Sequence, residues 1–519
     1  MVDHTIYATY IDKLNIIGAE GIQSNLFFKE PLRNLYHYGE LWYGAFFSAL
    51  FRHNTLQVFY FAVFSNFLLT IVVGAKAMLE FFYKNNQWYE WGLPFLVFVL
   101  AGIVFYFPTS VPFFSLSWGN DTILSNIKYA PITIILIWVF LSLFRKEYYH
   151  IVLLLLAVLL INTSTAPAVL MALVLFIGVL FLLKEISLRE VFRLVLPMVS
   201  IVAFIAAYVI FISVLNKKYL PADISFEKDF SITSRLKDFL YYKTLFNCTA
   251  GTMIKFVLSV FPFFILLLLA GKRLWKEQLS VILFAVILTF TSALSYGIFH
   301  FDFDGTQFWT TVYIPLMAVF LFFILIAVNA YTSSAFLRIY SGFLLILLFF
   351  PYVFSSKRGM NFKQYTASAH YLTDHIPADN TREIAVFYPK SKPTHVAGYD
   401  KNNYYPYNYI KLYINNYHPY CLSEFDTLLS DDPYIRSYQQ KYLKRSLFYR
   451  YTEKQKIKNT FVSIEQSQLD FIKEANVKYV LAQAGAELPK LIIPFVDKEI
   501  NDTLSESSKD KLYILKDFK

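Results

Sequence analysis

Between residues 55 and 354 apolar stretches of membrane-span size follow one another, each closed by turn-forming or charged residues, and after Ser356 they stop. Inside a bilayer every backbone N–H and C=O must be satisfied within the chain, so a run of roughly twenty apolar residues is read as a helix. Ten such stretches are read, near 55–74, 92–107, 129–144, 151–162, 166–183, 194–215, 252–270, 279–298, 308–328 and 338–354. The expected fold is therefore a polytopic α-helical membrane protein of about ten spans with a polar tail. Composition agrees: 56% of the 519 residues are hydrophobic and only 16% are charged. That balance excludes an intrinsically disordered chain, and two cysteines exclude a disulfide scaffold.

Orientation is read from short loops, because Lys and Arg beside span ends are retained in the cytoplasm. Arg145 and Lys146, then Lys184, Arg189 and Arg193, then Lys272, Arg273 and Lys276, and finally Arg338 fall on one side when the spans alternate. With that side cytoplasmic, the regions expected outside are an N-terminal loop (1–54), the loops near 108–128 and 216–251, the acidic loop after His300, and a C-terminal α/β domain (356–519). The multi-span domain is 55–355. In a bacterium this places the protein in the inner (cytoplasmic) membrane with its tail on the periplasmic or outer side. An N-terminal loop on that side requires either a reverse-anchored first span or a further helix upstream of Met1, and the second is the expectation. In the tail, a helix over 365–375, a strand over 384–388, a helix over 467–475 and strands over 478–482 and 511–516 are expected.

Four groups of residues carry the candidate chemistry. Asp3 and His4 with Asp12, followed by His37 and Glu40, lie just ahead of a span. A carboxylate at a membrane surface serves as general base toward a hydroxyl, with His assisting, although capping of a solvated loop accounts for the same residues. His300, Asp302 and Asp304 form a short acidic loop suited to a divalent cation, to a sugar, or simply to a helix N-terminus. The loop 216–251 carries Arg235 and Lys237 in an amphipathic stretch, 232–246, and Arg has the geometry to hold a lipid-linked phosphate. The segment 399–420 carries eight tyrosines and five asparagines, suited to stacking on sugar rings or to resting at the bilayer interface. The basic stretch 434–458 is read first as a solvated face. Cys248 and Cys421 both fall on the expected outer side, where a disulfide between them would persist.

The chain has no Walker A loop, GxGxxG turn, GxSxG elbow, HExxH or paired CxxC, and ionisable residues are almost absent from the spans. ATP-driven transport and zinc proteolysis therefore lack their residues.

An outside acid near the amino terminus, the segment Tyr36-His37-Tyr38 leading into a helix, about ten spans and an outside α/β tail together resemble the GT-C superfamily of integral-membrane glycosyltransferases. The resemblance implies a polyprenyl-phosphate-linked sugar as donor and a glycan, lipid or protein as acceptor. It implies Asp3 as the base, Arg235 or Lys237 on the donor phosphate, and Asp302 and Asp304 fixing the acceptor or a metal. Two other classes share the architecture: a surface-polysaccharide polymerase or ligase, dependent on outside Arg and His, and a non-enzymatic flippase or scaffold for lipid-linked glycans.

Overall fold

A computed structural model describes residues 7–8, 10–12, 14–15, 18, 39–51, 55–83, 89–95, 97–98, 128–217, 239–300, 307–332, 334–355, 371, 374–375, 384–387, 420–422, 447–482, 486–501 and 511–518. These residues are mostly helical. The helices used below are α1 (Gly39–Phe51), α2 (Thr55–Phe82), α3 (Tyr129–Phe144), α4 (Tyr148–Ile161) and α5 (Ala166–Leu182). They continue as α6 (Leu188–Lys217), α7 (Phe239–Leu269), α8 (Lys272–Phe299), α9 (Gln307–Tyr331) and α10 (Ala335–Ser355). Among the described residues, five helical stretches are long and apolar enough to cross a membrane: Thr55–Phe82, Thr163–Leu182, Leu188–Ile212, Lys272–Phe299 and Gln307–Tyr331.

How these helices sort follows from which sides are apolar. α9 is apolar all round, and its apolar window is entirely buried, as such a helix requires. α3, α8 and α2 pack around it, with Phe323 of α9 against Phe82, Phe140 and Phe144. α6 is the opposite case: only 11% of its apolar window is buried, and Phe192, Leu196 and Ile210 each stand more than 60% exposed. A helix so apolar and so uncovered is stable against lipid and not against water.

The bundle has two distinct ends. Lys146, after α3, bonds to Glu185, after α5, at 2.9 Å. Tyr331, ending α9, donates to Glu277 at 2.6 Å and accepts from Gln278 at 3.3 Å near the start of α8, and its ring lies edge-on to Phe82. The turns bearing Arg145, Lys146, Lys184, Lys272 and Arg273 thus gather at one end, the basic end. Thr55, the start of α3, the 162–165 turn, the end of α8 and the start of α9 lie at the other.

Helices run past the apolar cores that hydropathy picks out. α7 starts at Phe239, not near 252, so the long loop of 216–251 is shortened and half of the amphipathic stretch 232–246 is the first part of α7. Thr249 and Gly251 read as loop residues, yet they are helical because α7 packs closely on α8. A Cβ on Gly297 would overlap Thr249 Oγ1 and lie 2.8 Å from the Leu245 carbonyl oxygen. Only glycine permits that approach, the small-residue solution to helix association in lipid. α8 likewise begins at Lys272, not 279, since its polar first turns are held by an Arg273–Glu277 pair and by Trp275 Nε1 donating to Leu267 O. Of the stretch 92–107, only residues 92–95 and 97–98 are described.

The C-terminal part holds a five-stranded mixed sheet in the order β2-β1-β3-β5-β4, with β1 (Ile384–Phe387), β2 (Tyr420–Cys421), β3 (Tyr479–Ala482), β4 (Val496–Asn501) and β5 (Lys511–Leu515). β1 is parallel to β2 and β3, and β5 is antiparallel to β3 and β4. Helices α11 (Leu447–Ile457) and α12 (Ile464–Glu474) cover it. Ser463 caps α12 by accepting from Gln466 N at 3.1 Å. Phe471 is the centre of this cluster, edge-on to Tyr420, Phe448 and Tyr451. The strands expected over 384–388, 478–482 and 511–516 are β1, β3 and β5. No disulfide joins Cys248 to Cys421: Cys248 is a free thiol in α7, within hydrogen-bond reach of Tyr296 on α8.

Candidate functional site

The end of the bundle opposite the basic turns holds a set of buried polar groups, assembled from the N-terminal residues upward. Tyr7, Ala8, Ile11 and Leu14 recur at helical spacing, and all are buried. They pack on Leu41 and Ala45 of α1 and on Phe59 and Val63 of α2. Gly44 makes the contact possible, because a Cβ there would overlap the Ile11 side chain. Asp12 shares this helical surface. It is 5% exposed and accepts a hydrogen bond from Thr55 Oγ1, which lies 3.4 Å from Ser48 Oγ on α1.

α1 places a second carboxylate. Glu40 is in its first turn, where an acid favours the helix dipole, yet it is 1% exposed rather than solvated. It lies beside the tip of α4: a Cβ on neighbouring Gly39 would come within 3.0 Å of the Ile161 side chain. Immediately after Ile161, Asn162 is also buried and organises the turn into α5. Its Oδ1 accepts from Ser164 N at 3.1 Å and Ser164 Oγ at 2.7 Å, while its carbonyl accepts from Thr165 Oγ1 at 2.7 Å. The Asn162 Nδ2 group has no partner among the described residues. This turn packs on α9, whose buried Thr311 hydroxyl is likewise without a partner. Lys128, ahead of the first turn of α3, is buried at the same end of the bundle.

His300 closes α8 on this end. Its Nδ1 lies 2.6 Å from Gly297 O, and its ring lies 5.3 Å from that of Tyr241, whose hydroxyl donates to Ile298 O at 2.9 Å. Of the residues singled out from sequence, Glu40 and His300 are thus at one end of the bundle but on separate helix pairs. Asp3, His4, His37, Arg235, Lys237, Asp302 and Asp304 lie outside the described residues, as does most of the tyrosine-rich segment 399–420. Among the described residues, no three His, Cys, Asp or Glu side chains converge as a metal site.

Sequence reading did not single out Lys128, Asn162 or Thr311. A signal existed for the first: a lysine directly ahead of an apolar helix opposes that helix's dipole, so some other interaction must hold it there. Asn162 sits between two apolar runs in a turn too short to reach solvent freely.

The chemical resources of this end are therefore two buried carboxylates, a buried ammonium, an amide and hydroxyls, set in an apolar bundle. Carboxylates accept protons and hydrogen bonds from hydroxyls, and an ammonium holds an anion. These elements define a mostly helical chain, with helices able to cross a membrane and a small C-terminal sheet. The chain matches no family model, no curated protein and no solved structure.

Proposed function

We propose that the protein is a membrane glycosyltransferase that moves a sugar from a polyprenyl-phosphate carrier to an acceptor on the outer side of a bacterial inner membrane. On this reading about ten spans cross the bilayer, the basic end faces the cytoplasm, and the end with the buried carboxylates and the C-terminal α/β domain face outward. The observation that carries it is Glu40, a carboxylate held 1% exposed at the end of an apolar bundle. Burying a carboxylate is costly unless partners offset the lost hydration, so one kept at the end of an apolar bundle is a candidate base, and a lipid-carried substrate reaches such a site sideways from the bilayer.

The acceptor hydroxyl oxygen attacks the anomeric carbon of the donor sugar, and the bond from that carbon to the phosphate oxygen breaks. The acceptor's proton passes to Glu40, with Asp3 sharing the task. The electron pair leaves with the polyprenyl phosphate, whose growing charge is met by Lys128 and by Arg235 or Lys237. His300, Asp302 and Asp304 orient the acceptor.

The test uses cells lacking the gene, complemented with wild type, Glu40→Gln or Asp3→Asn at matched membrane levels. Accumulation of a polyprenyl-phosphate sugar, relieved by wild type but not by Glu40→Gln, is the expected result. Full relief by both variants would exclude a carboxylate-dependent transferase and leave a flippase or scaffold. An unchanged lipid pool in the deletion would exclude a lipid-linked donor altogether.

A further inference from the structure

At the basic end, away from the site above, a cavity of about 310 Å³ opens between the starts of α4 and α6. Its wall includes Lys146, Glu147, Tyr148, His150, Glu190 and Arg193. We propose that it binds the headgroup of a membrane phospholipid carrying a primary ammonium, of the phosphoethanolamine type, with an acyl chain lying in the groove between α4 and α6.

The charges around the cavity are unequally engaged. Lys146 bonds to Glu185 at 2.9 Å, and His150 Nδ1 lies 3.1 Å from Glu147 Oε2. Glu190 Oε2 accepts from Ser187 N at 2.6 Å and Ser187 Oγ at 2.8 Å, closing the first turn of α6. Arg193 stacks over Tyr149, 5.0 Å from the ring centre, and its charge is felt by Glu190 one turn earlier on α6, although no described carboxylate lies within ion-pair distance of it. A stacked guanidinium is pre-set in position and presents a fork that matches phosphate oxygens. Tyr148 adds a buried hydroxyl with no hydrogen-bond partner among the described residues. Glu147 and Glu190 each keep a second carboxylate oxygen outside the bonds just given. A ligand that satisfies this wall needs a phosphate and, a few ångströms away, an ammonium.

What lies below the cavity selects a lipid over a soluble phosphoamine. Three residues beyond His150 on α4 stands Leu153, and ten beyond stands Leu160, on one helical face. Three and eleven residues beyond Arg193 on α6 stand Leu196 and Phe204. All four are exposed, by 42%, 54%, 68% and 57%, and α4 and α6 are packed neighbours. A polar pocket bordered by exposed apolar faces on two neighbouring helices matches a lipid, head and tail.

The experiment takes the full chain, purified in mild detergent, and measures retained phospholipid by native mass spectrometry after exchange with phosphatidylethanolamine, phosphatidylglycerol or phosphatidylcholine. The expected result is one retained phosphatidylethanolamine per chain, at least tenfold depleted in Arg193→Gln and unchanged in Arg338→Gln, a basic-end control outside the cavity. Leu196→Ser, which leaves the headgroup wall intact, should weaken retention while phosphoethanolamine alone gives no binding. Equal retention in Arg193→Gln and wild type would overturn the proposal. So would preferential retention of phosphatidylglycerol, or saturable binding of inorganic phosphate or soluble phosphoethanolamine without lipid. Folding of each variant is followed by its Tm, and Arg193→Lys, which keeps the charge but loses the fork, should fall between wild type and Arg193→Gln.

Discussion

The two ends of the bundle use charge in opposite ways. At the basic end the ion pairs stand open: Arg273 with Glu277 and Lys146 with Glu185 leave each side chain at least 41% exposed. At the other end Asp12, Glu40, Lys128 and Asn162 are all under 9% exposed. Exposed pairs cost little and stabilise little, so such charges are suited to fixing orientation and meeting lipid headgroups. Buried charges carry a desolvation penalty that packing alone would have selected against. The contrast teaches that the second end, not the better-populated basic one, holds the charges that cost most to bury.

The largest effect expected is at Glu40. On the proposed function, Glu40→Gln keeps shape and hydrogen-bonding reach but removes the proposed base, so sugar transfer measured in membranes should fall by about 10²-fold or more with Tm nearly unchanged. A loss of Tm matching the loss of activity would instead make Glu40 a structural group and blur the contrast. Next comes Gly297→Ala, which pushes a methyl into Thr249 and the Leu245 carbonyl and separates α7 from α8. Destabilisation of about 2–3 kcal/mol is expected, read as detergent-resistant folded fraction on heating. Asp12→Ala strips Thr55 of its buried acceptor and should cost about 1–2 kcal/mol, whereas Thr55→Val with Asp12→Leu should recover much of that. Lys146→Gln, at the open end, should change stability by less than about 1 kcal/mol and lose even that effect in high salt.

The smallest effect at neutral pH concerns the C-terminal sheet. Burial first, and then the Glu474 carboxylate accepting its hydrogen bond at 2.9 Å, raise the Tyr451 hydroxyl well above the ordinary tyrosine value. The unfolded chain loses that proton near pH 10, the folded one later, so the stabilisation is complete below about pH 10 and is lost as pH rises beyond it. Tyr451→Phe should flatten that alkaline decline in a Tm-against-pH series, and an unaltered slope would assign the decline to other groups.

Much of the helical frame was legible in sequence because lipid demands continuous apolar runs, and 129–144 is read to the residue. Helix ends were not, because polar residues interrupt both Lys272–Gln278 and Phe239–Gly251, and these segments gain their helical support from a neighbour. In the sheet, β1, β3 and β5 are apolar enough to read, whereas β4, Val-Asp-Lys-Glu-Ile-Asn, is mostly exposed and pairs only because β5 offers an edge. At the site, the acids could be listed but their burial could not. Nothing local distinguishes Glu40 as a solvated cap from Glu40 as a buried carboxylate until Gly39 beside it is known to pack on Ile161.

α9 is enclosed on every side, and that bears on how the chain is made. The helix is hydrophobic enough to enter a bilayer unaided, but its neighbours include α10, which emerges after it. For an interval during synthesis it must therefore lie against lipid on the face that α10 later takes. In a membrane, closure of the bundle would be a lateral event completed after insertion, and a chain ending before Ala335 would leave α9 uncovered on that one face.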